Sequence, residues 1–358
     1  MRVSKCNLNH KNNINGMLVG KTIKSKVFQP TKLKYDILDQ EYKNLQRFLQ
    51  GEDVELYSAN KQQAFRFYHK IIGNAKKEYP LSIRKDLIRV KETKHKLAKY
   101  WIRIRVKGRR GGLWLPIKPH QPIDFSCEFC ESKIIKKGND FFVYLVIKKE
   151  VNIKQKYSSV IAIDIGERVM ATVLLDGKPV FCGKEIRGIR RHYAWLRKRL
   201  GEKKLLKKVK EIGQKEQRTV NQIAHEISKR IVSLAYQHNS LILFGDLKGI
   251  RKSAKGRRFN RIVSNMVYHK LTQYTTYKAN WKSIQVFKIN ERATSHTCPK
   301  CNSKGKRPHR GLFVCGNCKY QANADFVGAQ NIKKRFEEYI SSDGAGVTQL
   351  GTLRGEVR

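Results

Sequence analysis

Carboxylates are scarce in this chain. Its 358 residues hold 29 Asp and Glu against 76 Lys and Arg, a formal charge of +47. A folded molecule so charged repels itself unless a polyanion neutralises it, which points to nucleic acid as the partner. A membrane-surface or ribosomal role is the plainer reading of the same charge, although ribosomal proteins are usually smaller. Long apolar runs are missing as well. No stretch approaches the roughly 18 apolar residues that span a bilayer, which excludes a helical transmembrane protein. The opening MRVSKCNLNHKNN lacks the apolar core of a signal peptide, so a cytoplasmic, nucleoid-associated location without membrane contact is expected. Disulfides are not expected in such a compartment, and the eight cysteines need another explanation.

Four of them are explained by spacing. CPKC (Cys298, Cys301) and CGNC (Cys315, Cys318) are paired knuckles whose separation lets two turns present four thiolates tetrahedrally, the ligand set of a structural zinc. Cys127 and Cys130 form a third CxxC with no second pair nearby. It is half of another site or two ordinary thiols in a hairpin, and two ligands hold zinc poorly. Cys6 and Cys182 follow no pattern.

An apolar content of 40% at this length supports two or three domains with a sizeable core. Residues 1–35 include a mixed stretch from Met17 to Lys34 that reads as a first strand. Residues 36–98 read as a helical insertion, opened by Leu38, Tyr42, Leu45 and Leu49 on one stripe. Near residue 100 the period becomes two. Ile102, Ile104 and Val106 alternate with Arg103, Arg105 and Lys107, a strand with one buried and one basic face. The basic face is either a phosphate track or simply solvated. FFVYLVIK at 141–148 is a further strand, so 1–35 with 99–153 form a small β unit and 36–98 its insertion.

From 154 to 340 the order is two strands (VIAIDI, MATVLL), a basic segment, a helix from about Gln214 to His238, the strand LILFGDL, a helix carrying Val267, Leu271 and Tyr274, and the strand SIQVFKINE. A cysteine ribbon at 292–322 comes next, then a helix opened by Asp325 with Ala329, Ile332, Phe336 and Ile340 on one face. Residues 341–358 are Gly-rich and read as a loose, flexible tail. This is the order of an α/β ribonuclease H-like domain with an inserted zinc ribbon. Helices crossing between parallel strands put the strands' carboxyl ends on one edge of the sheet. Asp164, Glu291 and Asp325 can converge there. Clustered carboxylates repel one another unless divalent cations lie between them, and hard oxygen ligands suit Mg²⁺. Two such ions activate a water and stabilise the leaving oxygen of a phosphodiester. Each carboxylate also has a plainer use: Asp164 shaping a turn, Glu291 pairing with an arginine, Asp325 capping its helix.

AIDIG (162–166), GDLKGIR (245–251), ERATSHTCPKC (291–301) and GLFVCGNCKYQANADFVGAQNI (311–332) resemble TnpB, the transposon-encoded RNA-guided DNA nuclease related to type V CRISPR effectors. The resemblance covers about 158–340. It implies a RuvC-like nuclease site, a structural zinc ribbon, a guide RNA from the transposon end and target double-stranded DNA as substrate. It also implies wedge and recognition regions upstream, for the β unit and its insertion. Most members carry Glu where this chain has Gly245. A subset resembling this sequence has Gly there and an ERxTSxTC segment whose Glu corresponds to Glu291. The resemblance thus implies Asp164, Glu291 and Asp325 as catalytic ligands of two Mg²⁺ ions, with Glu291 relocated from the fourth strand to the fifth and Asp246 as backup. Ala324 and Val327 stand where the family usually has Arg and Asn.

In IRGIRRHYAWLRKRLGEKKLLKKVK (186–210), Ile189, Tyr193, Leu196 and Leu200 share one helical face and bases fill the rest. The chain lacks acids to pair them. Arg190, Arg191 and Arg197, with Arg103 and Arg105, are therefore expected to contact nucleic-acid backbone, positioning it without reading sequence. The expected protein is a monomeric, RNA-guided, Mg²⁺-dependent DNA endonuclease. Two rivals stay open: a nuclease-inactive RNA-guided repressor, should Glu291 not reach the metals, and a guide-independent nuclease or resolvase.

Overall fold

The computed structural model describes residues 16–154, 156–247, 256, 267–291, 294–309, 311–341 and 347–349. The chain divides into two compact units, Leu18–Glu150 and the remainder. Among the described residues no helix is long and apolar enough to cross a membrane.

The first unit is built on seven strands: β1 (Met17–Val27), β2 (Leu81–Ile83), β3 (Arg89–Glu92), β4 (Tyr100–Ile104), β5 (Leu113–Pro119), β6 (Glu128–Lys137) and β7 (Asp140–Val151). They form one sheet in the order β2-β6-β7-β1-β5-β4-β3. Two helices accompany it, α1 (Lys32–Leu49) and α2 (Ser58–Tyr68). The expected stripe is buried, with Leu38, Tyr42, Leu45 and Leu49 all facing inward. The expected helical run over 36–98 is corrected. Helix ends at Tyr68, and the strands β2 and β3 lie between it and residue 98. Gly51, at φ +99°, supplies the left-handed turn past the end of α1. Pro80 holds Tyr79 extended ahead of β2, whose backbone bonds go to β6. β3 pairs with β4. Sheet pairing supplies these segments' hydrogen bonds, for β2 through a partner distant in sequence and for β3 through the next strand.

The second unit carries a six-stranded sheet in the order β10-β9-β8-β11-β12-β16, from β8 (Ser159–Asp164), β9 (Ala171–Leu175), β10 (Lys178–Cys182), β11 (Ser240–Asp246), β12 (Val286–Asn290) and β16 (Val347–Gln349). β8, β11 and β12 are parallel. β9 and β16 run antiparallel to their partners. The helices are α3 (Glu185–Glu202), α4 (Leu206–Gln237), α5 (Tyr268–Trp281) and α6 (Ala324–Ser341). α4 begins at Leu206, earlier than the expected Gln214. β16 pairs with Phe287–Ile289, where a loose tail was expected. The rest of 342–358 lies outside the described residues, as do residues 248–251 of GDLKGIR and Arg292.

Alternation along the strands makes two cores. Ile161, Ile163, Ile242 and Phe244 pack with Ala224, Ile231 and Leu271 of α4 and α5. Ala162, Leu243 and Phe287 pack with Ala329, Ile332 and Phe336 of α6. Each fully buried Ile or Phe contributes roughly 1.5–3 kcal/mol, enough together to fix the register of α6 and so the place of Asp325.

Candidate active site

Parallel strands bring their carboxyl ends to one edge. Asp164 ends β8, Asp246 ends β11 and Glu291 comes directly after β12. Glu291 folds back over the neighbouring strand. A Cβ on Gly245 would lie 1.4 Å from Glu291 Oε1 and 2.2 Å from its Cδ, so the carboxylate fills the volume a side chain at 245 would take. The turn beyond it is pinned: the Thr294 amide and hydroxyl donate to the Glu291 carbonyl at 3.1 and 2.9 Å. Asp164 lies against α6, where a Cβ on Gly328 would meet its Oδ2 at 2.7 Å. Asp325 lies beside Gly166, whose Cβ would be 3.8 Å from Oδ1. Asp325 is not the helix cap. That task falls to Asn323, whose Oδ1 accepts from the N–H groups of Asp325 and Phe326 at 2.9 and 3.2 Å. Asp246 accepts from the Tyr268 hydroxyl at 3.3 Å.

Burial pushes Asp164 up to about 7; the Asp325 charge adds to the rise and Arg307 opposes it. Burial pushes Glu291 up to about 8, and Asp164 and Asp246 add to it. Asp325 is raised by burial against the pull of Arg307 and Arg168. The carboxylates thus act on one another in a chain, 325 to 164 to 291 to 246. Glu291 Oε1 is buried without a hydrogen-bond partner. Such an oxygen is costly to leave unsatisfied, and a hard cation satisfies it. Among the described residues, the cysteine cluster is the group of three or more Cys, His, Asp or Glu whose ligand atoms all lie within 4.8 Å of one another, and the three carboxylates do not form such a group.

These folded values make stability depend on pH. They lie above the ordinary carboxylate range of about 4, so the metal-free folded protein holds protons that the unfolded chain has released. The stability these groups confer is greatest at low pH and is lost as pH rises through about 7 to 8. Relative to Glu291→Gln, the zinc-loaded wild type without added Mg²⁺ should show a melting midpoint that falls between pH 5 and 8.5. Added Mg²⁺ should restore more of it at the higher pH. Identical curves for the two proteins would rule out the coupled site.

The ribbon is built on β13 (Gly305–Lys306), β14 (Leu312–Cys315) and β15 (Gln321–Asn323). Cys298 and Cys318 Sγ lie 3.6 Å apart, Cys301 and Cys315 Sγ 3.4 Å. A zinc tetrahedron with Zn–S near 2.3 Å has its sulfurs about 3.8 Å apart. The four thiolates fit a closed site with no open position. The Ser303 amide pulls the Cys301 thiol down to about 6, toward thiolate. Ala324 and Val327 are buried with Cys298, Phe313 and Cys315, where α6 docks on the ribbon and a large polar side chain would be desolvated. Cys315→Ser should lose the zinc, about one per chain, and lower the melting midpoint with it, because structural zinc supplies folding energy outright. Metal analysis beside thermal unfolding checks this; a fully occupied, equally stable variant would contradict it.

The arginines fare differently. Arg103 on β4 and Arg105 just past its end are half-buried, the expected strand stopping at Ile104, and Arg89 and Trp114 are Arg103's cross-strand partners. Burial pushes the Arg103 guanidinium down, and Arg105 and Arg89 add repulsion. The Nε atoms of Arg103, Arg105 and Arg190 are buried without hydrogen-bond partners. Arg191 is exposed. Arg197 forms an ion pair with Glu216, which commits part of its guanidinium to holding α3 against α4. Burial raises the Cys127 and Cys130 thiols. Sequence reasoning missed Gly328 and Asn323. The signal for Gly328 was present, since glycine inside a helix is costly unless something must approach closely.

The description "Cas12f1-like, TNB domain" matches residues 268–332. TnpB-like protein MJ0751 of Methanocaldococcus jannaschii is 28% identical over 219 residues, 57% of this chain and 77% of that protein. CRISPR-associated endodeoxyribonuclease Cas12f1 of Sulfoacidibacillus thermotolerans is 32% identical over 135 residues, 37% of this chain and 31% of that protein. The chain therefore spans less than half of that nuclease. A cryo-EM structure of a Cas12f1–sgRNA–target DNA complex aligns with a TM-score of 0.42 at 13% identity, over 88% of this chain and 99% of that one. The chain is a distant homologue of the TnpB-like proteins and of the CRISPR-associated endodeoxyribonucleases of the Cas12f kind.

Proposed function

We propose that this chain is a transposon-encoded, RNA-guided DNA endonuclease that hydrolyses phosphodiesters of target double-stranded DNA at a RuvC-like site. The observation that carries this is the Glu291 carboxylate lying where a side chain on Gly245 would lie, with one oxygen buried and unpartnered beside Asp164. Asp164, Glu291 and Asp325 would hold two Mg²⁺ ions, which when bound supply the Lewis acidity that activates water and neutralises a leaving oxygen. The protein's own groups do the positioning. Gly245 leaves room for Glu291, Thr294 pins its backbone, and Asn323 caps α6 so that Asp325 stays available. Arg103, Arg105, Arg190 and Arg191 offer a guide RNA and its target the cations that phosphates require, while pairing with the guide supplies sequence specificity. The relocated glutamate favours an active nuclease over a nuclease-inactive repressor. Sequencing the RNA that co-purifies with the protein, expressed with its flanking DNA, tests the guided part. A discrete transcript ending in variable guide sequence is expected. Random cellular RNA would instead favour a guide-independent nuclease.

A further inference from the structure

Helix α6 does more than carry Asp325. Asn331 on the same helix is buried, 5% exposed, and its Nδ2 donates to two backbone carbonyls, Thr294 at 2.6 Å and Thr297 at 2.8 Å. Those carbonyls belong to two different structures. Thr294 closes the turn onto the Glu291 carbonyl through both its amide and its hydroxyl. Thr297 directly precedes the zinc ligand Cys298 and bridges Lys304 across the first knuckle. One turn further along α6, the Arg335 guanidinium donates to the carbonyl of Asn290, the residue before Glu291.

We infer that Asn331 is a positioning residue that locks the Glu291 turn and the first zinc knuckle into one register, coupling the ribbon to the carboxylate site. This rests on the reading of Glu291 as a metal ligand. The chemistry selects asparagine. Both Nδ2 hydrogens are used, each on a separate carbonyl. Aspartate at 331 would set a carboxylate against two carbonyl oxygens, and leucine would leave both without their donor. Glu291 itself has no side-chain partner at Oε1, so the aim of its carboxylate depends on its backbone and on the space above Gly245. Groups hydrogen-bonded directly to a metal's ligands typically change its affinity about 10- to 100-fold, and Asn331 acts one step further out, through Thr294, so a several-fold effect is expected of it.

The test is Mn²⁺ binding to the full, zinc-loaded chain by calorimetry, with zinc content and melting midpoint measured alongside. Mn²⁺ suits the same oxygen ligands as Mg²⁺. Asn331→Ser should keep its zinc yet bind Mn²⁺ several-fold weaker. In a Glu291→Ala background the same substitution should cause no further loss, because the two act through one path. Unchanged Mn²⁺ affinity in Asn331→Ser overturns the inference. So does an equal further loss on top of Glu291→Ala, which would mark a merely structural role. Should Asn331→Ser fail to retain zinc, Thr294→Val carries the test by removing the hydroxyl bond to the Glu291 carbonyl. It should weaken Mn²⁺ binding several-fold by the same outer-shell logic, and wild-type affinity there overturns the inference. If Glu291→Ala alone binds Mn²⁺ like the wild type, the carboxylate reading fails first and the coupling falls with it.

Discussion

Glu291→Ala should abolish cleavage of a matched target while leaving guided binding of that target largely intact. The carboxylate is the only one of the three supplied from beyond the end of a strand, and its Oε1 has no other partner. Removing it takes away one ligand of a two-ion site and disturbs in-line geometry. Such losses typically exceed about a hundredfold where chemistry depends on preorganised charge. Binding should survive, because phosphate contacts and base pairing are made elsewhere. Asp246→Ala should be milder, since Asp246 already has the Tyr268 hydroxyl as a partner. Cleavage and filter binding, measured on the same preparations, separate the two effects. A Glu291→Ala protein that cuts normally beside a dead Asp246→Ala would reassign the ligand.

Gly245→Ala should be nearly as damaging to cleavage, although it adds a single methyl. That methyl would sit 1.4 Å from Glu291 Oε1, so the two cannot coexist and the carboxylate must swing away. Backbone strain is not the cause, since Gly245 is an ordinary strand residue paired with Ile289. Elsewhere in a strand the same exchange tends to stabilise, by roughly 0.5–1 kcal/mol. The signature is therefore a protein that melts no lower than its parent once Glu291 is also shortened, yet has lost cleavage as a single variant. The sharper form moves the ligand back. Gly245→Glu combined with Glu291→Ala should recover part of the activity that either change alone removes, because a glutamate on β11 would rise into the volume that Glu291 now fills. No recovery, with both proteins folded and zinc-loaded, would argue that position rather than presence of the carboxylate was misjudged.

Much of the second unit is legible in the sequence. The face of α4 with Ala224, Ile231 and Ala235, the docking face of α6 with Ala329, Ile332 and Phe336, and the four thiolates all come from period and spacing. Asp164 and Glu291 sit near one edge because parallel strands share their carboxyl ends there, and Asp325 acts on Asp164 from α6. Most of the hidden features depend on non-local contact. β2 is hidden because its pairing partner β6 lies about fifty residues further along, while β3 is hidden because its four residues are too short to show a period of two before they pair with the next strand, β4. Arg197 reads as a free base until α3 meets Glu216 of α4. Asn331 reads as one more polar helix residue until the ribbon folds back to place two carbonyls over it. The room made by Gly245, Gly166 and Gly328 is likewise invisible until the carboxylates are in place.

The most direct measurement loads the unmutated protein with its own RNA, adds Mg²⁺, and tracks duplex DNA that matches the guide beside duplex carrying a scrambled match. Cleavage of the matched duplex alone, absent when Mg²⁺ is omitted, is the expected result. Matched duplex that is bound and never cut, or both duplexes cut alike, would contradict an RNA-guided nuclease working through these carboxylates.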